Sequence, residues 1–191
     1  SWEQRAASRA ALYPSLASGE AAALPVAPLS VAARALELTL AVNPQVKPMV
    51  LGGDHSVAWP VVWALGRALA EPWAIVQPDA HTDLLPERLG VKYCFATWAF
   101  HANQVLGRAG RLVQIGVRAS AQPKSHWEHT LGVKQFWADE IRARGDAGSL
   151  DDIFAHLRGL GVRKIYLSND IDGTDAGLAP ATGAPEPGGL S

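Results

Sequence analysis

Short, wholly apolar runs separated by helical stretches constrain this chain more than any other feature. Such runs are buried on both faces, which a parallel sheet covered by helices on both sides provides. Met49-Val50-Leu51 reads as the first strand, ending at Gly52-Gly53. Ala74-Ile75-Val76 is a second, halted before Pro78. Residues 111–117 (RLVQIGV) form a third, 133–137 a short fourth, and 164–168 (KIYLS) the last. Helices are predicted over 30–43, capped by Ser30, and over 57–70, with Pro60 in the first turn where an N–H is dispensable. Another is predicted from Ser149 to about residue 159, with Asp152 near its positive end. Residues 1–27 read as a short helix followed by irregular chain, and 172–191 as loop. No repeat or linker divides the 191 residues, so they read as one domain with a real core.

In an open parallel sheet, ligands gather outside the carboxyl ends of the strands. Three of these ends carry metal-ligating side chains. The first is Gly52-Gly53-Asp54-His55-Ser56, the second Asp79-Ala80-His81-Thr82-Asp83, the third Asp170-Ile171-Asp172. In extended chain, residues two apart point to the same side. Asp79, His81 and Asp83 can therefore converge on one point just past a strand, and Asp170 and Asp172 can do the same from another strand. His55 follows a glycine pair that lets the backbone pass tightly. Asp54 beside it is read as orienting that ligand.

The charges of this set point to its cargo. Four carboxylates balance two divalent ions, and an added hydroxide leaves the site net negative, suited to a cationic guanidinium. The mixture of carboxylate and imidazole favours Mn²⁺ over Zn²⁺, Fe²⁺, Co²⁺ or Ni²⁺. The single cysteine, Cys94, excludes an intrachain disulfide and a multi-thiolate zinc site, and fits a reducing, cytoplasmic compartment. A net charge of -1 with no dense Lys/Arg run excludes a nucleic-acid or membrane surface.

At these motifs the chain resembles the ureohydrolase family, which includes arginase, agmatinase, guanidinobutyrase and formimidoylglutamase. The resemblance runs from about Val50 to Leu190, and the tail Pro185-Glu186-Pro187-Gly188-Gly189-Leu190 is similar to the agmatinase-like branch. It implies a three-layer α/β/α fold with a mainly parallel sheet. It implies one metal held by His55, Asp79, Asp83 and Asp170, and a second by Asp79, His81, Asp170 and Asp172. The implied reaction is attack of a metal-bridging hydroxide on a guanidinium or amidine carbon of a small cationic substrate, with release of urea or a related amide. Such enzymes are usually homo-oligomers.

Two departures accompany the resemblance. Where the family carries Ser-His-Gly, with a proton-shuttling histidine, this chain has Cys94-Phe95-Ala96. His101 is the candidate replacement, so Asp83 and His101 are the candidate catalytic residues. The family also has further strands beyond the tail and before the first motif, so the sequence is expected to be incomplete at both ends. Two alternatives stay open: a formimidoyl or ureido hydrolase of the same family, and a metal-binding pseudoenzyme that serves as a binding or partner subunit.

Overall fold

The computed structural model describes residues 28–191. The short helix expected within residues 1–27 lies outside the described residues. Four strands form one sheet: β1 (Trp73–Pro78), β2 (Leu112–Val117), β3 (Lys134–Trp137) and β4 (Lys164–Leu167). Their order is β3-β2-β1-β4, and every pairing is parallel. A parallel neighbour cannot be reached by a tight hairpin, so each strand returns through a helical crossover. The helices are α1 (Pro28–Val42), α2 (Ala58–Ala68), α3 (Trp98–Val105), α4 (Lys124–Leu131), α5 (Ala138–Arg144) and α6 (Asp146–Gly159).

Alternation along the strands sorts side chains into two cores. Trp73 and Ile75 of β1 pack with Leu112, Val62, Trp98, Ala102 and Leu106, under α2 and α3. Ala74 and Val76 face the opposite way, packing with Val113, Ile153 and Leu157 under α6. The apolar run Trp73 to Val76 of β1 thus meets a helix layer on each side. The parallel sheet and its two helical layers follow the pattern expected from the apolar runs.

Four local expectations are corrected. Ser30 does not cap α1 but is the third residue of a helix that begins at Pro28. Met49-Val50-Leu51 is not a strand: it pairs with no strand among the described residues, and Met49 and Leu51 are each 84% exposed. A three-residue apolar run becomes a strand only where a neighbour takes its N–H and C=O groups. Ser149 is not a cap but a buried residue inside α6. Gly145, at φ 79, turns the chain so that the helix begins at Asp146. Asp152 then lies mid-helix and pairs with Arg144 at 2.9 Å rather than with the helix dipole.

Gly132 ends α4 in the left-handed conformation, φ 62 and ψ 30, with its N–H on Glu128 O. A Cβ there would sit 2.5 Å from Arg108 O, a backbone atom that cannot swing aside. Gly132→Ala is expected to lower stability by roughly 1–3 kcal/mol, from strain and clash together. Urea unfolding followed by circular dichroism would show a lower midpoint with an unchanged slope.

Candidate metal centre

The three motifs meet at the carboxyl end of β1 and β4. Asp54 starts a 3₁₀ turn, His55–Val57, by accepting from Ser56 N at 2.8 Å. The Asp54 side chain therefore acts on the backbone that carries His55. The His55 ring is buried, stacked at a tilt against Trp98 with centroids 4.6 Å apart. Its Nε2 lies 2.9 Å from Ser168 Oγ, one residue past β4. With that nitrogen engaged, Nδ1 faces the acidic side chains.

Asp79 follows β1 directly, and its carboxylate serves two groups. Its Oδ2 lies 3.1 Å from His55 Nδ1, and its Oδ1 lies 3.7 Å from His81 Nδ1. Around His55 Nδ1 also stand Asp83 Oδ2 at 3.2 Å and Asp170 Oδ2 at 3.0 Å. Around His81 Nδ1 stands Asp172 Oδ2 at 3.0 Å. The structure thus brings together all six side chains selected from sequence, as two clusters joined through Asp79.

Several contacts hold these carboxylates in place. Asp172 Oδ1 accepts from Ala80 N at 3.0 Å, and Asp170 Oδ1 accepts from Asp172 N at 3.1 Å. Asp83 adopts φ 51, a left-handed conformation uncommon outside glycine, and takes a 2.9 Å hydrogen bond from Trp98 Nε1. Gly173 lets the third motif approach β1: a Cβ there would lie 2.9 Å from Asp79 N.

The electrostatics show a site short of positive charge. Burial disfavours a charged His55, but Asp170, Asp79 and Asp83 override it and push its pKa up to about 12. Asp172 and Asp79 likewise raise His81 to about 10. Burial raises Asp83 to about 6 and also raises Asp172. Burial would raise Asp79 too, yet the two histidines hold it well below the usual carboxylate range.

His55 Nδ1 supplies the test of whether these residues fit a cation. It is buried among three carboxylate oxygens at 3.0–3.2 Å, yet makes no well-directed hydrogen bond to any of them. Donor atoms bound about 2.1 Å from one ion at right angles to each other lie about 3.0 Å apart. The spacing and the hard oxygen and imidazole donors fit a divalent ion in each cluster.

Residues 19–191 match the Arginase family. The chain belongs to that family. It is similar to N(1)-aminopropylagmatine ureohydrolase of Thermus thermophilus, 39% identical over 143 residues that cover 75% of this chain and 45% of that relative. Among solved structures, proclavaminate amidino hydrolase of Streptomyces clavuligerus matches with a TM-score of 0.70 and 32% identity, over 85% of this chain and 53% of that one. Formimidoylglutamase of Bacillus subtilis matches with a TM-score of 0.75 over 90% of this chain and 54% of that one; at 24% identity this is a likeness of fold. The chain spans about half the length of the curated relatives it matches.

In this arginase-family chain His101 does not join the six. It sits on α3 with Nε2 3.1 Å from Pro86 O and 3.0 Å from Lys92 O. One ring N–H thus ties both ends of the loop that follows Asp83. The ring is walled by Trp59, Tyr93 and Phe100. Burial lowers its pKa, the direction that favours the neutral ring. Phe95 is exposed, with the Arg88 guanidinium 4.8 Å over its ring.

Two residues passed over in the sequence support the centre, and one of them, Arg118, holds the third motif against the tail. Arg118 donates to Gly116 O, Asp172 O, Gly173 O, Thr174 O, Glu186 O and Pro187 O. Ser168 orients His55, and the same two-residue spacing that relates Asp170 to Asp172 relates Ser168 to Asp170. Asp175 accepts from the N–H groups of Gly177, Gly188 and Gly189. Glu186 ends 3.8 Å from His81 Nε2.

His101→Ala is expected to free the 86–92 loop. Limited proteolysis would cut there at least several-fold faster, while metal stoichiometry stays as in the parent protein. An unchanged cleavage pattern would contradict the clamp.

Proposed function

We propose that this protein is a binuclear metal hydrolase that cleaves a C–N bond of a linear guanidino or amidine compound, agmatinase- or guanidinobutyrase-like, releasing urea. The observation that carries the reading is the convergence of Asp79, Asp83 and Asp170 on His55 Nδ1, with Asp79 shared by the His81–Asp172 group. When bound, two divalent ions supply Lewis acidity that makes water a nucleophile near neutral pH and stabilises a developing oxyanion. Mn²⁺ is our choice for both, from the donor set.

His55, Asp79, Asp83 and Asp170 hold one ion; Asp79, His81, Asp170 and Asp172 hold the other. Ser168 and Trp98 keep the first set from rotating. Asp83, held by the Trp98 indole N–H, would orient the attacking water by accepting its hydrogen bond. With four carboxylates balancing two divalent ions, an added hydroxide would leave the centre net negative, which attracts a cationic guanidinium and resists anionic substrates. The names of the relatives, a ureohydrolase and an amidino hydrolase, agree with a guanidino substrate. A cytoplasmic homo-oligomer is part of the same proposal.

Two observations favour a second reading. Phe95 stands where a shuttling histidine is expected, and the His101 ring is committed to backbone carbonyls. A metal-binding pseudoenzyme that serves as a binding or partner subunit fits those two facts.

The purified protein is expected to hold about two metal ions per chain after dialysis, by elemental analysis. A screen of linear guanidino compounds with Mn²⁺, repeated with Ni²⁺, should then release urea. His81→Ala and Asp172→Ala should abolish release with little change in circular dichroism. Two bound ions without turnover on any guanidino or formimidoyl compound would establish the pseudoenzyme. A folded protein that turns over substrate without metal would overturn both readings. A pH–rate profile moved by His101→Ala would return that residue to proton transfer.

A further inference from the structure

A row of buried amides runs across the sheet to the metal centre. Gln77, Gln114 and Gln135 occupy paired positions on β1, β2 and β3, and none has exposed surface. Along each strand they share the face of Ile75, Leu112 and Val133, so the row lies inside the first apolar core.

Their side chains form one continuous chain. Trp137 Nε1 donates to Gln135 Oε1 at 2.9 Å. Gln135 Nε2 donates to Gln114 Oε1 at 2.8 Å, and Gln114 Nε2 donates to Gln77 Oε1 at 2.8 Å. Gln77 Nε2 donates to Asp79 Oδ2 at 2.7 Å. That oxygen is the one facing His55.

The direction of the chain follows from its fixed points. An indole N–H only donates, so Gln135 must present its oxygen to Trp137. Gln114 Nε2 also donates to Thr82 O at 2.6 Å, and turning the amide over would set two oxygens against each other. An ionised Asp79 only accepts, so Gln77 must present its NH₂. Three separate anchors therefore give one orientation, with every amide dipole directing its positive end at Asp79. Buried, same-sense hydrogen bonds polarise one another, so the far members strengthen the last bond.

We propose that Gln114, Gln135 and Trp137, which touch no metal ligand, are positioning residues for the metal centre. They act through Gln77 to fix the orientation of the Asp79 carboxylate and so set cation affinity. Burying three neutral amides in an apolar core has a cost that packing alone does not require. The row also ends on Asp79, the carboxylate that faces both His55 and His81. The inference rests on the metal-centre reading above.

Mn²⁺ alone is the probe, titrated calorimetrically into the metal-free full chain. Gln77→Leu is expected to weaken binding about 10- to 100-fold, the usual effect of removing a group that orients a ligand. Gln135→Leu should weaken it in the same direction by a smaller factor, and Trp137→Phe, a mild change at the half-buried end, by a few-fold. In a Gln77→Leu background the effect of Gln135→Leu should shrink well below its effect in the parent, because only the Gln114–Thr82 backbone contact then links it to the centre. Affinity unchanged in both Gln135→Leu and Trp137→Phe, or additive losses in the double variant, would overturn the proposal. Parent protein that binds no Mn²⁺ would instead overturn the metal-centre reading itself.

Discussion

Four aspartate side chains crowd one end of the sheet, and their mutual repulsion is the constraint around which the rest is arranged. An unpaired buried charge costs on the order of several kcal/mol, so these carboxylates persist only where cations meet them. Asp79 bears this most directly: it is buried, faces both His55 and His81, and is shared by both groups. Its place directly after β1 explains why that strand is interior. β1 has a partner on each side and a helix layer over each face, and so supplies the least mobile end from which to present it.

Convergence also needs loops that do not wander. The third motif follows β4, an edge strand among the described residues, which offers less support than β1. The missing rigidity is supplied by contacts from outside the strand. Gly173 lets the loop press against the Asp79 backbone, and Ala80 N fixes Asp172. Arg118 collects backbone carbonyls from both this loop and the tail, while Asp175 gathers the N–H groups of Gly188 and Gly189. A guanidinium and a carboxylate thus replace the sheet hydrogen bonds that the loop lacks.

The meeting of these six side chains was legible because their motifs stand just after predicted strands, where ligands gather in a parallel sheet. Their grouping was not: two-residue spacing suggested one side for Asp170 and Asp172, but the chain turns there, so Asp170 faces His55 and Asp172 faces His81. The parallel sheet was legible because apolar residues at successive positions need cover on both faces. What failed depended on partners that a linear sequence does not name. Met49-Val50-Leu51 has strand composition but no strand beside it among the described residues. His101 was a free histidine in the sequence, and only the fold places two carbonyls against its ring. The glutamines at 77, 114 and 135 look like solvent-facing residues until their register sets them side by side.

Registry also explains how polar groups survive in this core. Three glutamines scattered through an apolar interior would each leave donors and acceptors unpaired. Placed in one row of a parallel sheet, each satisfies the next, and only the two ends need other partners. Trp137 meets one end with a group that can only donate, and Asp79 meets the other with a group that can only accept. The row is therefore complete only when an acceptor terminates it. An aspartate at position 79 consequently serves the core as well as the site, and replacing it would leave the Gln77 amide facing nothing. Stability and cation binding are joined at that residue, because the same carboxylate ends a hydrogen-bonded row inside the sheet and begins the cluster outside it.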